Sequence, residues 1–308
     1  MARLAAPGEA ILCDQPNALA VLAKTGMLMG WVTWVLEVGG LFAAGALFLP
    51  RLMKFLTAHK VTDTNYHGDS IPTASGLLLL LVLLCGYFVY RLVPSVPIHV
   101  STEYMLSLTL VGAAGLLDDL IGDKQIKGIE NHWRAWRHGS ASTGVVKAAV
   151  VGTASLLLFA GSGEVSGMGK LLLATGLSLL MSNGMNLLDV RPGRALKGYF
   201  LLWVPLVVGN DGKLFLGGEV LLLIGAGLLA YPDLRGKLML GDTGAGMLGF
   251  ALGASYIAYT PVYLQLVVLG VVAALHGLTW RRSLSRIIES HRWLQRLDEF
   301  GRGRIGER

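Results

Sequence analysis

Residues 171–198 read LLLATGLSLLMSNGMNLLDVRPGRALKG: an apolar run without a charge, then two asparagines, an aspartate and three cations between residues 183 and 198. A membrane-crossing helix needs ~20 largely apolar residues for a hydrocarbon core of about 30 Å. The stretch therefore reads as a span that ends in a concentrated polar cluster at the membrane face. A cluster of that kind on an otherwise greasy segment asks for a ligand or a partner.

The same apolar pattern recurs along the chain. The 308 residues are 53% hydrophobic and 15% charged, with 41 glycines and a mean hydropathy of +0.58, whereas a soluble domain carries about 25% charged residues. That balance excludes an ordinary soluble domain and points to an all-α, polytopic integral membrane protein. Nine spans are predicted, near residues 30–50, 73–92, 103–117, 145–161, 169–185, 196–210, 214–231, 240–259 and 262–279. The first lacks a basic region leading directly into it, so it reads as retained rather than as a cleaved signal. Three parts result: an external or interfacial segment 1–29, a transmembrane domain 30–280 and a basic amphipathic cytoplasmic tail 281–308. Cys13 and Cys85 are expected at different depths, which argues against a disulfide.

Lys and Arg gather on the cytoplasmic side of short loops. If residues 51–72, 118–147, 186–197, 233–237 and 280–308 share one side, that side holds 21 of the 26 cations. The N-terminus is then outside and the C-terminus cytoplasmic, which requires an odd number of spans. The net charge of +6 and pI near 9.4 follow from this one-sided placement, and no nucleic-acid motif accompanies them.

On that topology the acidic motifs share a face. GLLDDLIGDKQIKG, residues 115–128, places Asp118 and Asp119 where the third span ends, and LMLGDTGAGMLGF, residues 238–250, places Asp242 where the eighth begins. With Asp189, four carboxylates converge at the cytoplasmic membrane edge. Adjacent carboxylates raise each other's pKa unless a counter-charge is present. A divalent cation with hard oxygen ligands supplies one, and Mg²⁺ commonly takes one or two carboxylates together with waters and substrate phosphates. Arg191, Arg194 and Lys197, three apart, would share a helix face and suit phosphate contact. The alternative for these cations is simple positive-inside placement. For Asp118 and Asp119 it is helix capping, and for Asn183 and Asn186 it is hydrogen bonding between helices.

In chain order, PTASG (72–76), DD (118–119), NGMNLLD (183–189) and MLGDTGAG (239–246) resemble the motifs of the polyprenyl-phosphate N-acetylhexosamine-1-phosphate transferase family, over roughly residues 30–280. That family includes the enzyme making lipid I of peptidoglycan and those starting O-antigen, teichoic acid and eukaryotic N-glycan synthesis. The resemblance implies transfer of a sugar-1-phosphate from a UDP-sugar to a polyprenyl phosphate such as undecaprenyl phosphate, with release of UMP. The ion implied is Mg²⁺, or Mn²⁺ in its place, and the location is the cytoplasmic face of the plasma membrane, in cell-envelope glycan synthesis. By motif position Asp242 and Asn186 are the implied metal ligands, and Asp118, Asp119 and Asp189 the implied catalytic carboxylates. Asn183, Arg191, Arg194, Lys197, Lys127, Thr243 and His291 are the expected phosphate or donor contacts. A homodimer suits the family.

The chain also departs from the family pattern. Pro192 stands where a second acidic residue usually helps to hold the nucleotide, and no Lys or Arg immediately precedes Pro72 and Thr73. The His-rich loop near the C-terminus is replaced by SRIIESHRWLQRLDEFGRGRIGER, with His291 as its one histidine. These differences point to a divergent branch with its own donor or with an altered grip on the nucleotide. They also keep open a non-catalytic relative or a transporter that binds lipid phosphate or a cation. KGIENHWRAWRHG, residues 127–139, reads as a helix lying on an anionic membrane surface.

Overall fold

The computed structural model describes residues 27–65, 68–93, 98–122, 143–161, 165–208, 213–281 and 283–302. Lys127, Cys13, most of the N-terminal segment and the expected interfacial helix 127–139 lie outside the described residues. The chain is mostly helical. Along it run α1 (Met27–Ala58), a short hairpin of β1 (Thr62–Thr64) and β2 (Ser70–Pro72), then α2 (Leu77–Leu92), α3 (Thr102–Ile121), α4 (Thr143–Gly161), α5 (Met168–Leu188) and α6 (Arg194–Val208). A 3₁₀ turn (Lys213–Leu216) leads into α7 (Glu219–Leu234), α8 (Gly241–Tyr259) and α9 (Val262–Arg281), and two short helices, α10 (Leu284–Glu289) and α11 (Arg292–Glu299), close the described chain.

Each predicted apolar segment falls on one of the helices α1 to α9. Five of them, α1, α3, α4, α5 and α9, are long and apolar enough to cross a membrane, and α2 is a shorter apolar helix. α6 and α7, 15 and 16 residues long, contain Pro205 and Pro232. The outward faces carry large apolar side chains, such as Leu36 and Leu47 on α1 and Tyr263 and Val271 on α9, as a lipid-facing surface requires.

α8 is the central helix: every residue from Thr243 to Tyr256 is buried. A helix apolar all round belongs inside a bundle. It packs chiefly against α5 and α3, and its glycines permit the close approach. A Cβ at Gly249 would lie 2.3 Å from the Met181 carbonyl oxygen of α5, and one at Gly253 would lie 2.8 Å from Ser178 Cα. On the facing side of α3, Gly115 has no room for a Cβ beside the Asp242 carbonyl, 2.5 Å away. Residues four apart share a helix face, so the crossing at Gly115 also brings Asp119 to the start of α8.

The all-α expectation needs one addition. The hairpin pairs Thr62 with Pro72 and Thr64 with Ser70 in antiparallel register. Gly68 turns at φ +87, and the Asn65 side chain accepts from the Asp69 amide at 2.9 Å, a local side-chain turn that competes with helix. The hairpin delivers PTASG to the start of α8. Met239 N–H donates to the Pro72 carbonyl at 2.9 Å, and Gly76 N–H donates to the Leu240 carbonyl at 2.9 Å.

Candidate active site

The polar cluster is built around the N-terminus of α8, where backbone N–H groups lack intrahelical partners. Asp119 reaches across from α3 and satisfies them. Its Oδ1 accepts from Asp242 N at 2.8 Å, and its Oδ2 accepts from Thr243 N at 3.0 Å and Thr243 Oγ1 at 2.6 Å. A carboxylate here also meets the positive end of the helix dipole. Gly241, at φ +70, is the hinge of this arrangement, because a Cβ there would stand 2.5 Å from Asp119 Oδ2 and 2.7 Å from Ala74 N. Ala74 itself sits at φ 57, an uncommon conformation for a residue with a side chain. Ser75 anchors that turn by donating through Oγ to the Met239 carbonyl at 2.7 Å.

Asp189 arrives from the other side, as the residue that ends α5. Its Oδ2 accepts from Gly241 N–H at 2.9 Å. Burial pushes the Asp189 carboxyl well above the usual range, and the charges of Asp233 and Asp119 add to that; the Gly241 hydrogen bond opposes it.

Asp242 points away from these caps. It pairs with Lys147 of α4, Nζ to Oδ2 at 2.7 Å, and the Lys147 side chain is only 10% exposed. Asp118, beside Asp119, makes side-chain contact with Asp242. The carboxylate of Asp242 thus lies between a second carboxylate and a buried ammonium. The structure therefore brings Asp118, Asp119, Asp189 and Asp242 together, and adds two residues that the sequence reading passed over. Lys147 follows a run of loop cations in the sequence, but a lone lysine inside TGVVKAAVVGTASLLLFAG signals an intramembrane partner. Asp233, in the last turn of α7, is buried, accepts from Gly193 N–H at 3.1 Å and acts on Asp189 through its charge.

The two asparagines divide. Asn183 donates to His276 Nε2 of α9 at 3.0 Å, and His276 Nδ1 lies 2.8 Å from the Val272 carbonyl. A carbonyl can only accept, so Nδ1 carries the proton and Nε2 is the acceptor. Asn183 is a link between helices, the alternative that the sequence had left open. Asn186 keeps its Oδ1 buried with no hydrogen-bond partner, a costly state that a ligand would relieve.

The expected phosphate contacts fall elsewhere. Arg194 holds Asp298 of α11 through two bonds of 2.8 Å. Lys197 donates to the carbonyls of Asp298 at 2.6 Å and Leu297 at 3.2 Å, and Arg191 pairs with Glu289. All three are taken by the C-terminal tail: Lys197 by the free carbonyls at the end of α11, Arg194 by the buried Asp298 carboxylate, and Arg191 by the exposed Glu289. Thr243 is fully buried on Asp119. His291 lies between α10 and α11, with Nδ1 close to Ser290 Oγ and the Ile287 carbonyl. The described part of the tail forms two short helices and folds back onto the start of α6.

Among the described residues, no three His, Cys, Asp or Glu side chains gather closely enough to enclose a metal ion by themselves. No protein-family model matches the chain, and no curated protein does.

Proposed function

We propose that this protein transfers a sugar-1-phosphate from a UDP-sugar to a polyprenyl phosphate at the cytoplasmic membrane face, leaving a lipid-linked pyrophosphoryl sugar and UMP. One observation carries the reading: PTASG, the Asp pair, NGMNLLD and GDTGAG, far apart in sequence, meet at the N-terminus of α8 through Gly76, Asp119, Asp189 and Asp242. Capping of α8 accounts for Asp119 and Asp189 but not for the buried, unpartnered Oδ1 of Asn186 in the same motif set.

Phosphoryl transfer asks a protein mainly for positioning and charge neutralisation. The donor set fits Mg²⁺, which takes few protein ligands and keeps waters and phosphates. Asp242, Asp118 in contact with it and the orphaned Oδ1 of Asn186 are the groups that would hold it. When bound, Mg²⁺ would neutralise phosphate charge. Lys147 supplies a second, fixed positive charge beside Asp242. Asp119 orders the start of α8 for the other groups. Asp189 lies where it can orient the lipid phosphate, which is already ionised at neutral pH and needs no strong base. Arg194 and Lys197 have no part in this reading as phosphate contacts, since the tail holds them.

The topology belongs to the same proposal. Nine helices cross, the N-terminus lies outside and the C-terminus inside, so that a lipid carrier and a soluble nucleotide both reach the α8 end. Purified protein given undecaprenyl phosphate, Mg²⁺ and a panel of UDP-sugars is expected to release UMP with one donor, and to stop with EDTA or with Asp242→Ala. If no donor yields UMP while lipid phosphate still binds, the protein is a non-catalytic lipid-phosphate or cation binder instead.

A further inference from the structure

Pro192, which stands where the resembled family usually has a second acidic residue, lies in a turn that the tail clasps. Arg302 donates through Nε to the Pro192 carbonyl at 2.9 Å and through Nη2 to Asp298 Oδ1 at 2.8 Å. Asp298 in turn receives two guanidinium bonds from Arg194, and the Arg194 and Asp298 side chains are each 6% exposed. Ser285 of α10 accepts from Arg194 Nη1 at 3.2 Å, and Lys197 closes the carbonyl end of α11. One carboxylate thus ties two guanidinium groups, that of Arg194, which directly follows the Pro192–Gly193 turn, and that of Arg302, which bonds the Pro192 carbonyl.

The clasp stands in series with the acidic site. From the tail, the linkage runs through Arg302 and Arg194 to the turn, and from the turn three residues back to Asp189, whose Oδ2 holds Gly241 N–H. On its other side the turn is held by Asp233 through Gly193 N–H. The turn, with Gly193 at φ +73, closes on itself through Arg194 N–H to the Arg191 carbonyl at 3.2 Å, and the outside bonds tie it to the tail and to α7. A buried ion pair adds little net stability, and in some proteins its role is to fix one arrangement.

We propose that Asp298 is a positioning residue for the acidic site: by joining Arg194 and Arg302 it fixes the turn at Pro192–Gly193 and so the aim of Asp189 at Gly241. The structural part stands on the contacts alone, and only its kinetic consequence rests on the transferase reading.

Amide hydrogen exchange in micelles tests it, with Gly193 and Gly241 as reporters. In Asp298→Ala both amides are expected to exchange about tenfold faster or more through local opening, and Asp298→Glu to restore much of the protection. Amides of Leu248 to Ala251, in the middle of α8, keep theirs if the bundle is intact. Faster exchange at Gly193 with Gly241 unchanged, or no change at either, overturns the proposal. Should Asp298→Ala lose the bundle, Arg302→Met, which removes the Pro192 bond and one bond to Asp298, supports the same comparison. In the UMP assay the Asp298→Ala turnover is expected to fall about tenfold, with lipid-phosphate binding unchanged and recovery in Asp298→Glu. Loosened Gly241 exchange with unaltered turnover overturns the kinetic part. Loosened exchange in a protein that turns over no donor sinks the transferase reading and leaves the linkage standing.

Discussion

Lys147 and Asp242 form an ion pair in which each partner alone would be a liability, because an unpaired charge in a low-dielectric interior is costly. Since the Asp242 side chain is 31% exposed and partly screened by water, Lys147→Met is expected to destabilise the protein by about 1–2 kcal/mol, read from denaturant or thermal unfolding in micelles. Adding Asp242→Asn to it should return most of that loss, and a strictly additive double variant would mean that the two charges are not coupled. Asp119 is the other decisive residue. Its two oxygens accept three bonds from the start of α8, so it has a structural task whatever its part in chemistry. Asp119→Ala should cost about 2 kcal/mol, the scale of a lost cap with charge-assisted hydrogen bonds. Loss of activity in that variant would then have to be read beside its stability.

Among the elements, α8 and the tail respond to different perturbations. α8 touches α5 backbone to backbone, and a methyl at Gly249 would meet the Met181 carbonyl oxygen at 2.3 Å. Gly249→Ala is expected to cost about 1–3 kcal/mol by overpacking. Gly227→Ala is the matched control, since nothing lies within 4 Å of its added Cβ, and its unfolding midpoint should not fall. The tail answers to acid. Burial alone would raise the Asp298 carboxyl, but the hydrogen bonds and charges of Arg194 and Arg302 outweigh it and hold it below the ordinary 3.8. A depressed carboxylate contributes stability that is present above the unfolded value and is lost as pH falls through the folded one. Trp293, exposed on α11, reports on the docking. Its emission should stay constant between about pH 6 and 8 and change only below about pH 4. Undocking near neutral pH would contradict the buried ion cluster.

For the whole molecule, the one-sided charge predicts which loops share a compartment. In a background without Cys13 and Cys85, single cysteines at Asp63 and Lys237 are expected to label from the cytoplasmic side, and one at Lys213 from outside. Labelling of all three from one side would remove the nine-span topology. The helix positions were legible along the chain because each apolar run is uniform and long, so that burial in lipid or protein gives the same pattern. Which of those runs would occupy the centre was not legible, because α8 and the outer helices have similar compositions and differ in what surrounds them. Its glycines at 244, 246, 249 and 253 were a usable sign of close packing, but glycine is common throughout this sequence.

The sequence by itself determined that this chain is a helical membrane protein, where its helices lie and which acidic residues are candidates for one site. Hydropathy and charge act locally and can be read residue by residue. Only the tertiary structure decided the partners. Arg191, Arg194 and Lys197 look the same in sequence whether they meet phosphate or protein, and the folded-back tail assigns them to Glu289 and Asp298. Lys147, which follows a run of loop cations, belongs to Asp242 because α4 packs beside α3 and α5. A charge carries no record of its counter-charge until the chain brings the two within a few ångströms, and that distance is a property of the fold.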